Sequence, residues 1–257
     1  MLPELYDAIF SRKAIRKFDP TPLGDEVVTE IKTFMDNELV PMNAGIAIQH
    51  QIVARKDMRG MLATKAQQYI PVFSEPKEGY AVNVGFTMQQ VDLFLSTKGI
   101  GSCWQAMPRP GKGLKSAASG EYLIALVIGS PVEPLHRKDR SEFARKTVSQ
   151  ISSIPPGDAV MDDVLEAARL APSGTNNQPW FFTGDAENSV LHAYCRKANA
   201  LLKRIFHKMN EISMGIALCH AWLALEHEGK TPEFVVDGAA RDHPPKGYSY
   251  ISSLHFS

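Results

Sequence analysis

The chain has 257 residues, 44% hydrophobic and 22% charged, and its 28 basic and 28 acidic side chains leave no net charge. That balance offers no general attraction for nucleic acid or an anionic membrane, and no stretch reaches the roughly 20 apolar residues that span a bilayer. The three cysteines, Cys103, Cys195 and Cys219, make no CxxC pair, so neither a disulfide framework nor a zinc site is indicated.

In chain order, the opening "MLPELYDAIFSRKAIRKF" mixes acidic and basic residues early and holds no apolar run of secretory length, so a cytoplasmic location is expected. It places Arg12, Lys13 and Arg16 within five residues. Asp25 follows a glycine where a helix N-cap belongs. Residues 45–55, "GIAIQHQIVAR", read as a strand, and 85–99 read as a buried helix closed by Gly99. The segment "KGIGSCWQAMPRPG" (98–111) leaves that helix through two glycines. It is not GxGxxG after a strand, so a Rossmann dinucleotide site is not supported. "YLIALVIG" (122–129) is the clearest strand, and a polar seam over about 133–144 follows it with a second basic run, Arg137, Lys138 and Arg140.

Beyond the seam, Asp158 caps a helix expected over 159–170, with Val160, Val164, Leu165 and Ala168 on one face and Pro172 beyond its end. "LAPSGTNNQPW" (170–180) is rich in turn formers and leads into a strand, "WFFTGD" (180–185). Residues 215–229 form a second buried helix ending in Gly229.

Two echoes run through this order. "RKAIRKFDPTPLGDEVVTEI" (12–31) overlays "RKTVSQISSIPPGDAVMDDV" (145–164) without a gap, and "GFTMQQVDLFLSTKG" (85–99) overlays "GIALCHAWLALEHEG" (215–229) at Gly85/Gly215, Leu93/Leu223, Leu95/Leu225 and Gly99/Gly229. We read a duplicated unit: an α+β fold of two pseudo-symmetric halves, 1–138 and 139–257, packed as one globular body. The eight histidines are scattered, and no Ser-His-Asp set, paired carboxylates or HExxH appears, so the side chains supply no obvious engine of their own.

Taken together, "SRKAIRKFDPTPL", "VGFTMQQVDLFLSTKGIGSCW", "ALVIGSPVEPLHRKDR" and "LEAARLAPSGTNNQPWFF" resemble the nitroreductase-like flavoprotein family, the last being the most specific. The resemblance implies mixed or antiparallel sheets flanked by helices, and FMN between two subunits. It also implies NADH- or NADPH-driven reduction of nitro or quinone acceptors by two hydride transfers through the flavin, which carries the chemistry. In this chain the Pro-Ser loop falls in the second half, and "LVPMNAG" (39–45) stands at the corresponding place in the first. The chain therefore resembles a homodimer fused into one polypeptide, a monomer whose further assembly stays open.

Residue by residue, the resemblance implies one complete site. Arg12, Lys13, Ala14 and Arg16 form the phosphate element, Gly99, Gly101 and Ser102 lie near the flavin ring, Lys138 and Arg140 are the late basic pair, and Pro172, Ser173, Gly174 and Asn176 reach across from the second half. Ala14 stands where the family has serine. Losing that hydrogen bond to a charged group costs about 1.5–3 kcal/mol, or roughly one to two orders of magnitude in affinity. The mirror-image site is expected to be dead, since "EGKTPEF" replaces the glycine turn there. The rival reading is a degenerate flavin-fold protein that binds a small ligand or serves as a scaffold.

Overall fold

In the computed structural model the described residues are 2–62, 64–197 and 203–257, with 203–206 described by backbone alone. The first half contains α1 (Leu2–Ile9), α2 (Asp25–Asn37), β1 (Ile48–His50), β2 (Val53–Ala54), β3 (Met58–Gly60), β4 (Gln68–Ser74), α3 (Tyr80–Thr97), β5 (Gly101–Gln105), β6 (Pro108–Pro110), α4 (Lys112–Ala117) and β7 (Glu121–Gly129). The second contains α5 (Val148–Ile151), α6 (Ala159–Arg169), β8 (Trp180–Asp185), β9 (Val190–Arg196), α7 (Lys203–His227), β10 (Pro232–Val235), α8 (Gly238–Asp242) and β11 (Tyr248–Phe256). The fold is α+β, and every strand pair among the named elements is antiparallel.

The two main sheets share one plan. The first runs β1-β4-β7-β5 and the second β8-β9-β11-β10. Apart from the short β2, which also pairs with β4, each is in chain order two strands, a long helix, an edge strand and then an inner strand. Helix α3 packs on β4 and β5, α7 packs on β8 to β11, and the helices pack on each other. Both are buried nearly all round where they meet, polar side chains such as Gln89, Asp92 and His220 included. Their contact is close and reciprocal. A Cβ at Gly85 would lie 2.0 Å from the Ile212 carbonyl oxygen, and one at Gly215 would lie 1.9 Å from that of Val82. One continuous apolar core joins α1, α2, α3, α6, α7 and inner faces of both sheets.

The helix ends match too. Gly99 (φ 76°) and Gly229 (φ 72°) adopt the left-handed conformation that closes a helix, with Ile100 N–H donating to Leu95 O and Lys230 N–H to Leu225 O, both at 2.9 Å. Asp158 caps α6 through Met161 N–H, as expected. Asp25 does not cap α2. Gly24 holds the extended cap position, and Asp25 is the first helical residue, where its charge faces the helix dipole.

The strand expected over 45–55 is interrupted. Ile48–His50 and Val53–Ala54 pair with β4 on either side of a gap that lies opposite Pro71, which has no N–H to donate. Among the described residues no helix is long and apolar enough to cross a membrane.

Candidate functional site

After α1 the chain 12–16 runs beside β5, with Ile15 N–H donating to Ser102 O at 2.9 Å. This brings Arg12, Ala14 and Arg16 opposite Pro172, Ser173, Gly174 and Thr175, the loop that follows α6. Between them lies a cleft of about 190 Å³. Its apolar chamber is walled by Cys103, Trp104 and Ile124 from the first sheet and by Met209, Ile212 and Ile216 from α7. Those three helical residues recur at the spacing that keeps one face of a helix turned the same way.

The chamber opens into a polar mouth that shares Arg12, Ala14, Arg16, Pro172, Ser173 and Thr175 and adds Lys13, Glu133, Arg137, Arg145 and Asn176. Glu133 accepts the backbone N–H groups of Arg16 (2.7 Å) and Lys17 (3.0 Å), which pins the basic segment. Arg137 lies 4.0 Å over the Phe143 ring and donates to the Arg12 carbonyl. Burial and then the neighbouring Arg12 push its pKa down to about 10. Burial, with Arg137, Arg12 and Arg169 around it, pushes Arg145 to about 10 as well. Like charges crowded this way repel one another, and an anion placed among them relieves the repulsion.

Arg12 is 3% exposed. Its Nε lies 2.7 Å from Asp92 Oδ2 on α3 without the alignment of a linear hydrogen bond, and its Nη2 is buried with no partner among the described residues. Asp92 also accepts Ser102 Oγ–H. Arg12 thus lines the mouth while its guanidinium sits in the core beside Asp92.

The loop opposite is held under strain. Thr175 (φ 53°), Asn176 (φ 57°) and Gln178 (φ 46°) are left-handed without being glycine. Arg145 Nη1 donates to Asn176 Oδ1 at 2.9 Å, Asn176 Nδ2 to Ala144 O at 2.7 Å, Gln178 N–H to Ser173 Oγ at 2.9 Å and Gly174 N–H to Ser213 Oγ at 3.2 Å. A Cβ at Gly174 would come within 2.7 Å of Met209 Cε, the far end of a flexible side chain that can swing aside.

Of the residues singled out in the sequence, Arg12, Lys13, Ala14, Arg16, Pro172, Ser173, Gly174 and Asn176 line this cleft. Gly99, Gly101 and Ser102 do not. Gly99 terminates α3, Gly101 and Ser102 pair with Gly129 and Ile128 inside the sheet, and Ile15 and Phe18 cover Gly101. Lys138 is exposed, and Arg140 lies 4.3 Å over the Phe10 ring and 4.0 Å from Glu166. Their place is taken by Arg137 and Arg145, the first from the same basic run and the second from the echo of Arg12.

Behind the chamber wall a polar chain enters the core. Trp104 Nε1–H donates to Gln89 Oε1 (3.2 Å), Gln89 Nε2–H to His220 Nε2 (3.2 Å) and His220 Nδ1–H to Ala167 O (3.0 Å). Burial pushes His220 down from 6.5 to about 3, so it is neutral at pH 7. The unfolded chain takes up this proton below about pH 6.5 and the folded chain does not. Stability therefore falls with pH between about 6.5 and about 3, by up to ~1.4 kcal/mol per unit from this group. Urea unfolding across that range should show a shallower loss in His220→Gln, and an unchanged slope would exclude His220 as the source.

A family model described as "Putative TM nitroreductase" matches residues 4–225, most of the chain. The chain belongs to this nitroreductase family. As a family member it is an oxidoreductase. The fold agrees with that of a "putative nitroreductase" from Thermotoga maritima, at 21% identity and a TM-score of 0.64, over 97% of this chain and 91% of that one. A nitroreductase family protein from Clostridium difficile matches at 14% identity and 0.46, over 60% of this chain and 98% of its own. A nitroreductase with bound FMN from Desulfitobacterium hafniense matches at 17% and 0.41, over 57% and 100%. No curated protein matches the chain.

Proposed function

We propose that this family member is an FMN-dependent oxidoreductase in which one chain acts as its own partner and builds a single flavin site from both halves. The observation that carries the reading is the composite cleft, with Arg12 to Arg16 on one wall and Pro172 to Asn176 on the other. The residues fit such a group. The chamber offers apolar walls for a ring system, and the mouth offers Lys13, Arg16, Arg137 and Arg145 for a phosphate. Ala14 brings no hydroxyl to the mouth, and the two guanidinium groups of Arg137 and Arg145 stand where extra donors offset its absence.

Bound FMN would supply hydride acceptance and release, which no side chain here provides. The chain's own work is to hold and shield. The basic mouth fixes the anionic end, Ile124, Ile212 and Ile216 exclude water, and the strained 173–178 loop holds the opening in one shape. NADH or NADPH as donor and a nitroaromatic or quinone as acceptor complete the proposed reaction.

The fused-dimer reading draws support from the matching sheet plans and the reciprocal Gly85 and Gly215 contacts. The offset that aligns these glycines sets Phe234 against Trp104, Phe86 against Ile216 and Trp222 against Asp92. Phe86 packs edge-on against Phe234 (5.2 Å) and Trp222 (5.6 Å), so aromatic rings occupy the space where the mirror chamber would open. One flavin per chain follows.

Purified full-length protein should be yellow or become so with added FMN. It should bleach anaerobically with NADH or NADPH and regain colour with a quinone. A colourless protein that takes up no FMN and oxidises neither nicotinamide overturns the proposal.

A further inference from the structure

Among the described residues that line the chamber one side chain is aromatic, Trp104, set among the aliphatic and sulfur-bearing groups of Cys103, Ile124, Met209, Ile212 and Ile216. A tryptophan at the edge of a cleft ordinarily has a choice, since its indole N–H can turn toward a ligand, toward water or inward. Here that choice is removed. The N–H is committed to Gln89 Oε1, behind the wall. Gln89 is fully buried, and its amide is spent at both ends, accepting from the indole and donating to His220 Nε2. His220 is 1% exposed and is fixed in turn by the Ala167 carbonyl. The chain runs from β5 through α3 and α7 to α6, so rigid elements of both halves hold one ring. In the second sheet the matching Phe234 has no polar atom and is packed against Phe86 instead.

We infer that Trp104 is the specificity-determining surface of the chamber, selecting a planar ring by stacking, and that Gln89 and His220 are positioning residues that keep its indole in place. The inference rests on the flavin reading above. Trp104 recognises the ring and the basic mouth recognises the phosphate, so the two contributions separate when the phosphate is removed from the ligand.

The test is equilibrium dialysis of the full-length, ligand-stripped chain against FMN and against riboflavin, which has the ring and lacks the phosphate. Trp104→Leu should weaken both ligands by the same factor, about tenfold, while Trp104→Phe restores binding to within about threefold of wild type. Gln89→Met keeps the indole and frees it, and should weaken both by about threefold. Arg16→Ala should weaken FMN and leave riboflavin unchanged.

Unchanged far-UV circular dichroism and melting temperature separate these losses from unfolding. Should Trp104→Leu fail to fold, Gln89→Met decides the matter by the same comparison. FMN and riboflavin binding that neither Trp104→Leu nor Gln89→Met alters overturns this inference alone. A wild-type chain that binds neither flavin overturns it together with the proposed function.

Discussion

Gly215→Ala is expected to destabilise the chain by about 3 kcal/mol or more, at the upper end of what overpacking costs. The cause is backbone against backbone. The new Cβ would stand 1.9 Å from Val82 O and 2.6 Å from Phe86 N, and neither can rotate away as a side chain would. Relief requires α3 and α7 to separate, which opens the shared core between the halves. Alanine is the better helix former by about 1 kcal/mol, but that gain is smaller than the strain. Gly113→Ala in α4 supplies the contrast, since nothing lies within 4 Å of its Cβ and the substitution should stabilise slightly. Urea midpoints measure both, and a Gly215→Ala midpoint equal to wild type would contradict the close crossing.

Asp92→Ala should be comparably damaging, by about 3–5 kcal/mol, because it leaves the Arg12 guanidinium buried without its counter-charge. The two side chains are 4% and 0% exposed, so water cannot replace the lost carboxylate. Ser102 Oγ–H loses its acceptor in the same step. The triple variant Arg12→Met, Asp92→Leu, Ser102→Ala removes every member of the network together and should recover most of the stability, since a buried ion pair exchanged for apolar groups is often neutral or better. It should not recover FMN binding, because Arg12 also lines the mouth. Recovery of folding without recovery of binding separates the structural role of the pair from its role toward the ligand. A stable Asp92→Ala single variant would show that the pair holds nothing together.

Much of the architecture was legible because it rests on periodicity and capping. The segments 85–99 and 215–229 are helical in period and apolar nearly all round, which reads as buried helices, and both close on a left-handed glycine. Asp158 and the 180–185 strand were equally plain. The strand β4 was not read, because Pro71 sits in its middle. The position is tolerated because the partner strand is interrupted opposite it, a fact that only pairing reveals. For the site, the basic segment and the Pro-Ser loop were visible as motifs, but a charge run does not say which member points inward. In "HRKDR" it is Arg137 that stacks on Phe143 and lines the mouth, while Lys138 is left in solvent. Likewise Met209 and Ile212 precede the helix legible at 215–229, which begins in the structure at Lys203, and Ile216 reads only as part of that buried helix. What makes them a wall is the opposing loop, placed there by the turn after α6.

The central claim is that residues from both halves build one site. Arg16→Ala and Asn176→Ala test it most directly, because Arg16 is exposed and neither side chain belongs to the buried Arg12–Asp92 pair. Titration of each full-length variant with FMN should show weaker binding in both, by about tenfold for the lost charge-assisted contact at Arg16 and by a similar factor where Asn176 no longer orients Arg145. Binding should saturate at one FMN per chain in wild type. Saturation at two, or an affinity that depends on one half's residue and ignores the other's, would contradict the composite site.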